Sequence, residues 1–201
     1  YYRNGNDIIN PRWSVKNSQG GQVTNRIFGT AQLNYEYNDN LTFTYRYGLD
    51  WYNERNTSYS NKDGVNFNQA IFGYLNSWDN NVSVSTHYAS VNGNYDLSDE
   101  IGMSFVVGAT SQNRSYDREG VANTGQIVFG VLQSFNFENQ TPISYHGSQN
   151  TVGVFASTDL DYNDYLFVSL SARNDWVSNL PTENNSMLYP SMSVSFLPTA
   201  A

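Results

Sequence analysis

The chain has 201 residues, of which 39% are hydrophobic, 15% aromatic and only 14% charged, against roughly 25% charged in an ordinary soluble domain. It contains no cysteine, which excludes a disulfide framework, a thiolate zinc site and a redox motif. A net charge of −8 with ten Lys plus Arg leaves no basic surface for phosphate contact, no apolar run approaches the roughly 20 residues of a membrane-crossing helix, and the aromatic content argues against disorder.

Period-two alternation is the dominant pattern, and it predicts paired strands in chain order. Residues 26 to 37 place Ile27, Gly29, Ala31, Leu33, Tyr35 and Tyr37 on one face against Phe28, Thr30, Gln32, Asn34 and Glu36. Residues 41 to 52 alternate Leu41, Phe43, Tyr45, Tyr47, Leu49 and Trp51 with Thr42, Thr44, Arg46, Gly48, Asp50 and Tyr52. Between them Asn38, Asp39 and Asn40 form a tight turn, since Asn and Asp tolerate left-handed backbone and hydrogen-bond their own main chain. The unit recurs with residues 82 to 95 and 101 to 113 joined through Asp96–Glu100, and again with residues 150 to 160 and 165 to 177 joined through Asp161–Asp164. A last strand is expected over 187 to 197, and 128 to 137 reads as a further, shorter one.

Residues 54 to 80, 116 to 147 and 178 to 186 read as long Asn/Ser/Gly-rich connections. Long and short connections thus alternate, the pattern of transmembrane β-barrels, whose strands put apolar side chains outward and polar ones inward. Aromatic placement points the same way. Tyr35, Tyr37, Tyr95, Tyr162 and Tyr165 lie beside the short turns and Trp51, Trp176 and Tyr189 at the opposite strand ends, as in the two interfacial girdles of a barrel. The predicted fold class is therefore all-β, an antiparallel transmembrane β-barrel segment of about seven or eight strands.

The run Arg173-Asn174-Asp175-Trp176, then Leu180-Pro181, then Tyr189-Pro190-Ser191 resembles the barrel of SusC/RagA-type TonB-dependent transporters. Asn10-Pro11-Arg12-Trp13 and Tyr47-Gly48-Leu49-Asp50-Trp51-Tyr52 resemble segments of the same family in the same order. The resemblance implies that residues 1–201 are part of a larger, roughly 22-stranded barrel, without the plug domain and the TonB-contacting segment. The start at Tyr1 and Tyr2, before any strand, and the end at Ala201, just past one, agree with a cut segment. It further implies TonB-energised import of an oligosaccharide or peptide across the outer membrane of a Bacteroidota-like cell. Its partners would be a SusD-like surface lipoprotein, TonB and outer-membrane lipid.

Catalysis has little support, and neither cofactor nor metal is implied. The two histidines are His87, which shares its face with Ser83 and Ser85 and reads as lumenal, and His146. Asp159 to Asp164 opens like a calcium loop but lacks the turn glycine, and its twelfth position is Leu170 where a bidentate Glu is required; it reads as a turn. Arg46 and Asp50 share one strand face and Arg173 and Asp175 another, both opposite the apolar side. These four are expected to form a lumenal network bracing plug against wall. Tyr59, Tyr74, Trp78 and Tyr116 are candidate substrate-facing loop aromatics. Two other classes stay open: a small self-contained outer-membrane barrel acting as adhesin or structural protein, and a soluble carbohydrate-binding β-sandwich.

Overall fold

The computed structural model describes residues 9–65 and 68–198; Tyr1, Tyr2 and Ala201 lie outside the described residues. A short helix, α1 (Pro11–Asn17), opens them, with the Asn10 side chain accepting from Arg12 N–H at 2.9 Å and proline in the first turn. A side-chain oxygen at the cap satisfies an otherwise unpaired donor, and proline gives up no helical hydrogen bond there. Seven strands follow: β1 (Ser18–Asn38), β2 (Leu41–Ser60), β3 (Tyr74–Ser98), β4 (Ile101–Gln126), β5 (Phe137–Tyr162), β6 (Leu166–Val177) and β7 (Ser186–Phe196). A one-turn helix, α2 (Asn68–Phe72), lies between β2 and β3. The strands form one antiparallel sheet in the order β1-β2-β3-β4-β5-β6-β7.

The short turns are as tight as the sequence predicts. At the β5–β6 turn Asn163 and Asp164 take positive φ, 46° and 58°, and Asp161 Oδ1 accepts from Asp164 N–H at 3.0 Å. The acidic run at 159–164 is thus a strand end and an Asx-type turn. Register then fixes the faces. Thr158, Leu170 and Met192 are cross-strand neighbours, and so are Ser157, Ser171 and Ser191 one position along. Leu170 is 41% exposed and Met192 68%, so the apolar row is bare. A sandwich would cover that row with a second sheet, and the described strands all belong to one sheet.

Three sequence expectations are corrected. The connections read at 54–80 and 116–147 are mostly strand: β2 runs on to Ser60, β3 begins at Tyr74, β4 continues to Gln126 and β5 begins at Phe137. The strand read at 128–137 is instead a turn and a one-turn 3-10 helix, Ser134–Asn136, leading into β5 at Phe137. Trp51 sits in the middle of β2 rather than at its end.

The chain divides into two compact units. The first comprises Tyr1–Ile27, Trp51–Val82 and Ser115–Gly147. Its interior is largely amide. Asn61 Oδ1 accepts from Gln126 Nε2 at 3.0 Å and from Gly130 N–H at 3.2 Å, while Asn61 Nδ2 donates to Asn17 Oδ1 at 3.3 Å. Gln126 Oε1 in turn accepts from Lys62 N–H at 2.9 Å. Asn136 ties the 127–136 connection to itself, accepting from Val128 N–H at 3.0 Å and donating to the Val128 and Val131 carbonyls at 2.7 and 2.9 Å. Because buried polar groups must be paired, this lattice fixes the connections as firmly as packing would.

The second unit comprises Phe28–Asp50, Ser83–Arg114 and Ser148–Ala201. It holds the three short turns and the regular alternation. Its strands are joined by ladder bonds and by side chains lying flat on one face, described next.

Candidate functional site

In the second unit, the polar face carries a ladder of rings and guanidinium groups. Arg46 Nε donates to Gln32 Oε1 at 2.9 Å, and its guanidinium carbon lies 5.4 Å from the centre of the Tyr88 ring. Tyr88 stacks on Phe155 with centroids 5.7 Å apart and planes at 27°. Arg173 lies 5.9 Å from the centre of Phe155. The resulting order is Arg46, Tyr88, Phe155, Arg173, drawn from β2, β3, β5 and β6. The intervening strand β4 contributes Gly108, where a Cβ would come within 2.5 Å of Phe155. Only a glycine lets the Phe155 ring lie across that backbone toward Tyr88.

Beyond the ladder, Arg173 Nη2 lies 2.7 Å from Asp175 Oδ1 and donates to Thr110 Oγ1 at 2.9 Å, and Arg173 Nε donates to Asp175 Oδ2 at 3.0 Å. This fork-to-carboxylate pair lies over Gly153, where a Cβ would meet both side chains. The structure thus brings Arg173 and Asp175 together as an ion pair with one hydrogen bond, from Nε to Oδ2, and one close charge contact, Nη2 to Oδ1. Arg46 is instead held by a neutral amide and a ring. Asp50 lies in the same alternating row of β2 as Arg46.

In the first unit a second network centres on Asn80, which is buried. Its Nδ2 donates to Glu54 Oε2 at 3.0 Å. Its Oδ1 accepts from Arg118 Nε at 2.8 Å and from Tyr116 O–H at 3.0 Å. Arg118 lies 5.7 Å from the centre of the Tyr116 ring, which meets Tyr145 edge-on at 5.6 Å. Nearby Asn53 Nδ2 donates to Asn81 Oδ1 at 2.8 Å, and His146 Nδ1 is paired with Asp117 Oδ1.

The four candidate aromatics all belong to the first unit, and each lies on a strand rather than in a connection: Tyr59 on β2, Tyr74 and Trp78 on β3, Tyr116 on β4. Tyr116 is the one that joins the Asn80 network. Sequence reading missed Glu54, Asn80, Arg118 and Tyr145, because polar residues in Asn-rich strands carry no alternation to mark a face. Placement of His87 is corrected as well. Its Nδ1 lies 2.8 Å from the Tyr45 hydroxyl and its ring 5.1 Å from Tyr47, so it joins the row of Phe43 and Leu49 rather than that of Arg46 and Asp50.

Among the described residues no helix is long and apolar enough to cross a membrane, which leaves crossing by strands untouched. The chain matches the TonB dependent receptor-like, beta-barrel family over residues 1–201. It is similar in fold to the RagAB peptide transporter, with a TM-score of 0.83 at 13% identity, covering 92% of this chain and 21% of that one. The RagAB peptide importer in its open-open state gives a TM-score of 0.82, again at 13% identity over 92% of this chain and 21% of that one. BauA, the ferric preacinetobactin receptor from Acinetobacter baumannii, gives 0.54 at 15% identity, covering 88% of this chain and 29% of that one. No curated protein matches. The chain thus spans about a fifth of the RagAB chains it matches. With alternating faces on one antiparallel sheet and a family match from first residue to last, the chain belongs to the TonB-dependent receptor β-barrels of the outer membrane.

Proposed function

We propose that this chain is part of the channel wall of a TonB-energised outer-membrane importer for a large nutrient, a peptide or an oligosaccharide, in a Bacteroidota-like cell. Its partners are a SusD-like surface lipoprotein that closes over the barrel and TonB, which acts through a plug region. Peptide is the cargo favoured, by analogy with the peptide transporters of similar fold. One observation carries the reading: a single sheet whose one face is a bare apolar row and whose other face holds built networks of charge. Hydrocarbon requires the first and a wet channel the second.

Strand length supports it. About ten residues cross a bilayer at a barrel's tilt, which is the spacing from Leu41 to Trp51 on β2 and from Leu166 to Trp176 on β6. β4 and β5 have 26 residues each, so much of each lies beyond the hydrocarbon, in water. In this reading Arg173 and Asp175, with Arg46 and Asp50, brace the plug against the lumenal face. Tyr59, Tyr74, Trp78 and Tyr116 lie on the part of the channel that cargo meets first.

The test is uptake by cells carrying the intact transporter. Labelled peptides of about ten residues should enter in a manner abolished by a protonophore and by deletion of the transporter gene, and weakened by loss of the surface lipoprotein. Uptake indifferent to the proton gradient would rule out TonB-driven import by this barrel.

A further inference from the structure

Opposite charges that serve only to hold strands together normally meet each other. The Asn80 network is arranged differently. A carboxylate, Glu54, and a guanidinium, Arg118, are fixed to the two ends of one buried amide, with Asn80 standing between them. All the polar capacity of Asn80's oxygen is used, by Arg118 and by the Tyr116 hydroxyl. Glu54 has one of its roughly four acceptor positions bonded to Asn80 and Arg118 one of its five donors. The charged heads are therefore oriented while much of their bonding capacity is left for something else. Both are half-buried, and the exposed Tyr145 ring meets Tyr116 edge-on beside them.

Counting by two along β2 from Arg46 and Asp50 reaches Glu54, the row expected to face the channel. An oriented anion, an oriented cation and an aromatic pair suit a ligand that carries both signs of charge close together beside apolar groups. A neutral sugar chain would not require the two ions. We infer that Glu54, Asn80, Tyr116, Arg118 and Tyr145 form a peptide-binding subsite that selects segments with a cationic and an anionic side chain near each other. This rests on the peptide-import reading above and adds to it the residues that sort the cargo. Glu54 takes the cationic group, Arg118 the anionic one, and Asn80 is the positioning residue that keeps the two from collapsing onto each other. Preorganisation of this kind strengthens binding by removing the ordering cost.

The test uses the intact transporter with its surface lipoprotein, purified in detergent. The probes are two nonapeptides acetylated and amidated at their ends, one with adjacent Lys and Glu at its centre and one with two Gln there, together with maltoheptaose. The wild type should bind the charged peptide about tenfold more tightly than the neutral one, the effect of one or two charge-assisted hydrogen bonds. Glu54→Gln and Arg118→Gln should each remove most of that preference, lowering affinity for the charged peptide far more than for the Gln peptide. That pattern is one a merely structural network would not produce. Equal wild-type affinity for both peptides, or full preference retained in both variants, overturns the subsite and leaves peptide import standing. Binding of maltoheptaose but of neither peptide overturns the peptide-import reading itself. If a variant does not fold, as seen by lost heat-modifiable mobility, the wild-type comparison alone decides.

Discussion

The two units of this chain solve the same problem with opposite materials. Of the buried apolar and polar side chains among the described residues, Ser90 alone falls in the second unit, whereas the first unit buries Asn17, Asn61, Asn80, Asn123, Gln126 and Asn136. In the second unit large apolar residues such as Leu33, Leu188 and Met192 are more than 60% exposed. A strand row that meets hydrocarbon needs no core behind it, because lipid performs the burial that folding otherwise supplies. The first unit instead buries amides that bond to one another, to backbone and to charged side chains, alongside Ala70, Leu75, Val82 and Phe137. Each unit is thus held by different means: exposed apolar rows mark the second, and buried amides around Ala70, Leu75, Val82 and Phe137 mark the first.

The strongest way to break that comparison is to place a charge on each face of the second unit in the intact transporter. Leu170→Arg should cost about 2 to 4 kcal/mol near the bilayer midplane, and Ser171→Arg about 0 to 1, because the neighbouring residue points away from lipid. Urea unfolding in lipid bilayers, followed by heat-modifiable mobility, gives both numbers. Equal costs would mean that the Thr158, Leu170, Met192 row does not face hydrocarbon, since a one-residue slip exchanges all side chains between faces.

A smaller effect tests the first unit. Asn61→Leu removes the acceptor shared by the Gly130 N–H and the buried Gln126 amide, which keeps only its 3.3 Å bond to the Val131 carbonyl, a loss of about 1 to 3 kcal/mol for a buried donor. The readout is local. Chymotrypsin acting on intact cells should nick the connection carrying Phe129 and Phe135, both exposed, faster in the variant. Unchanged nicking would mean that something other than the amide lattice anchors this connection.

The same difference between the units explains what could be read in the sequence. The strand expected at 165–177 is observed at Leu166–Val177 and that at 187–197 at Ser186–Phe196, because their apolar and polar residues alternate and alternation is legible. Past Trp51 on β2, and before residue 82 on β3, no greasy row is required. Those stretches read as loops although the backbone stays extended. The error at 128–137 has the reverse cause. Val128, Phe129, Val131 and Leu132 looked like a strand, but Gly130 takes φ of 79° and the Asn136 side chain occupies the backbone groups that a ladder would need. For the candidate site, the Arg173–Asp175 pair was visible as two charges in one row. The ladder through Tyr88 and Phe155 was not, since it depends on Gly108 lying between them in space rather than in sequence.

The smallest expected effect separates burial from hydrogen bonding as the cause of the first unit's rigidity. Ser144 Oγ donates to Glu119 Oε1 at 2.7 Å, between two exposed residues of β5 and β4 in the same unit as Asn61. This bond is shorter than either bond to Asn61 Oδ1, and its acceptor is charged, so distance and charge alone would rank it as the stronger contact. Its groups, however, exchange freely with water when the bond breaks. Ser144→Ala should therefore change stability by no more than about 0.5 kcal/mol and leave chymotryptic nicking at the wild-type rate. A cost equal to that of Asn61→Leu would mean that hydrogen bonds stabilise these strands wherever they occur, and that the buried amides have no privileged part in holding the first unit together.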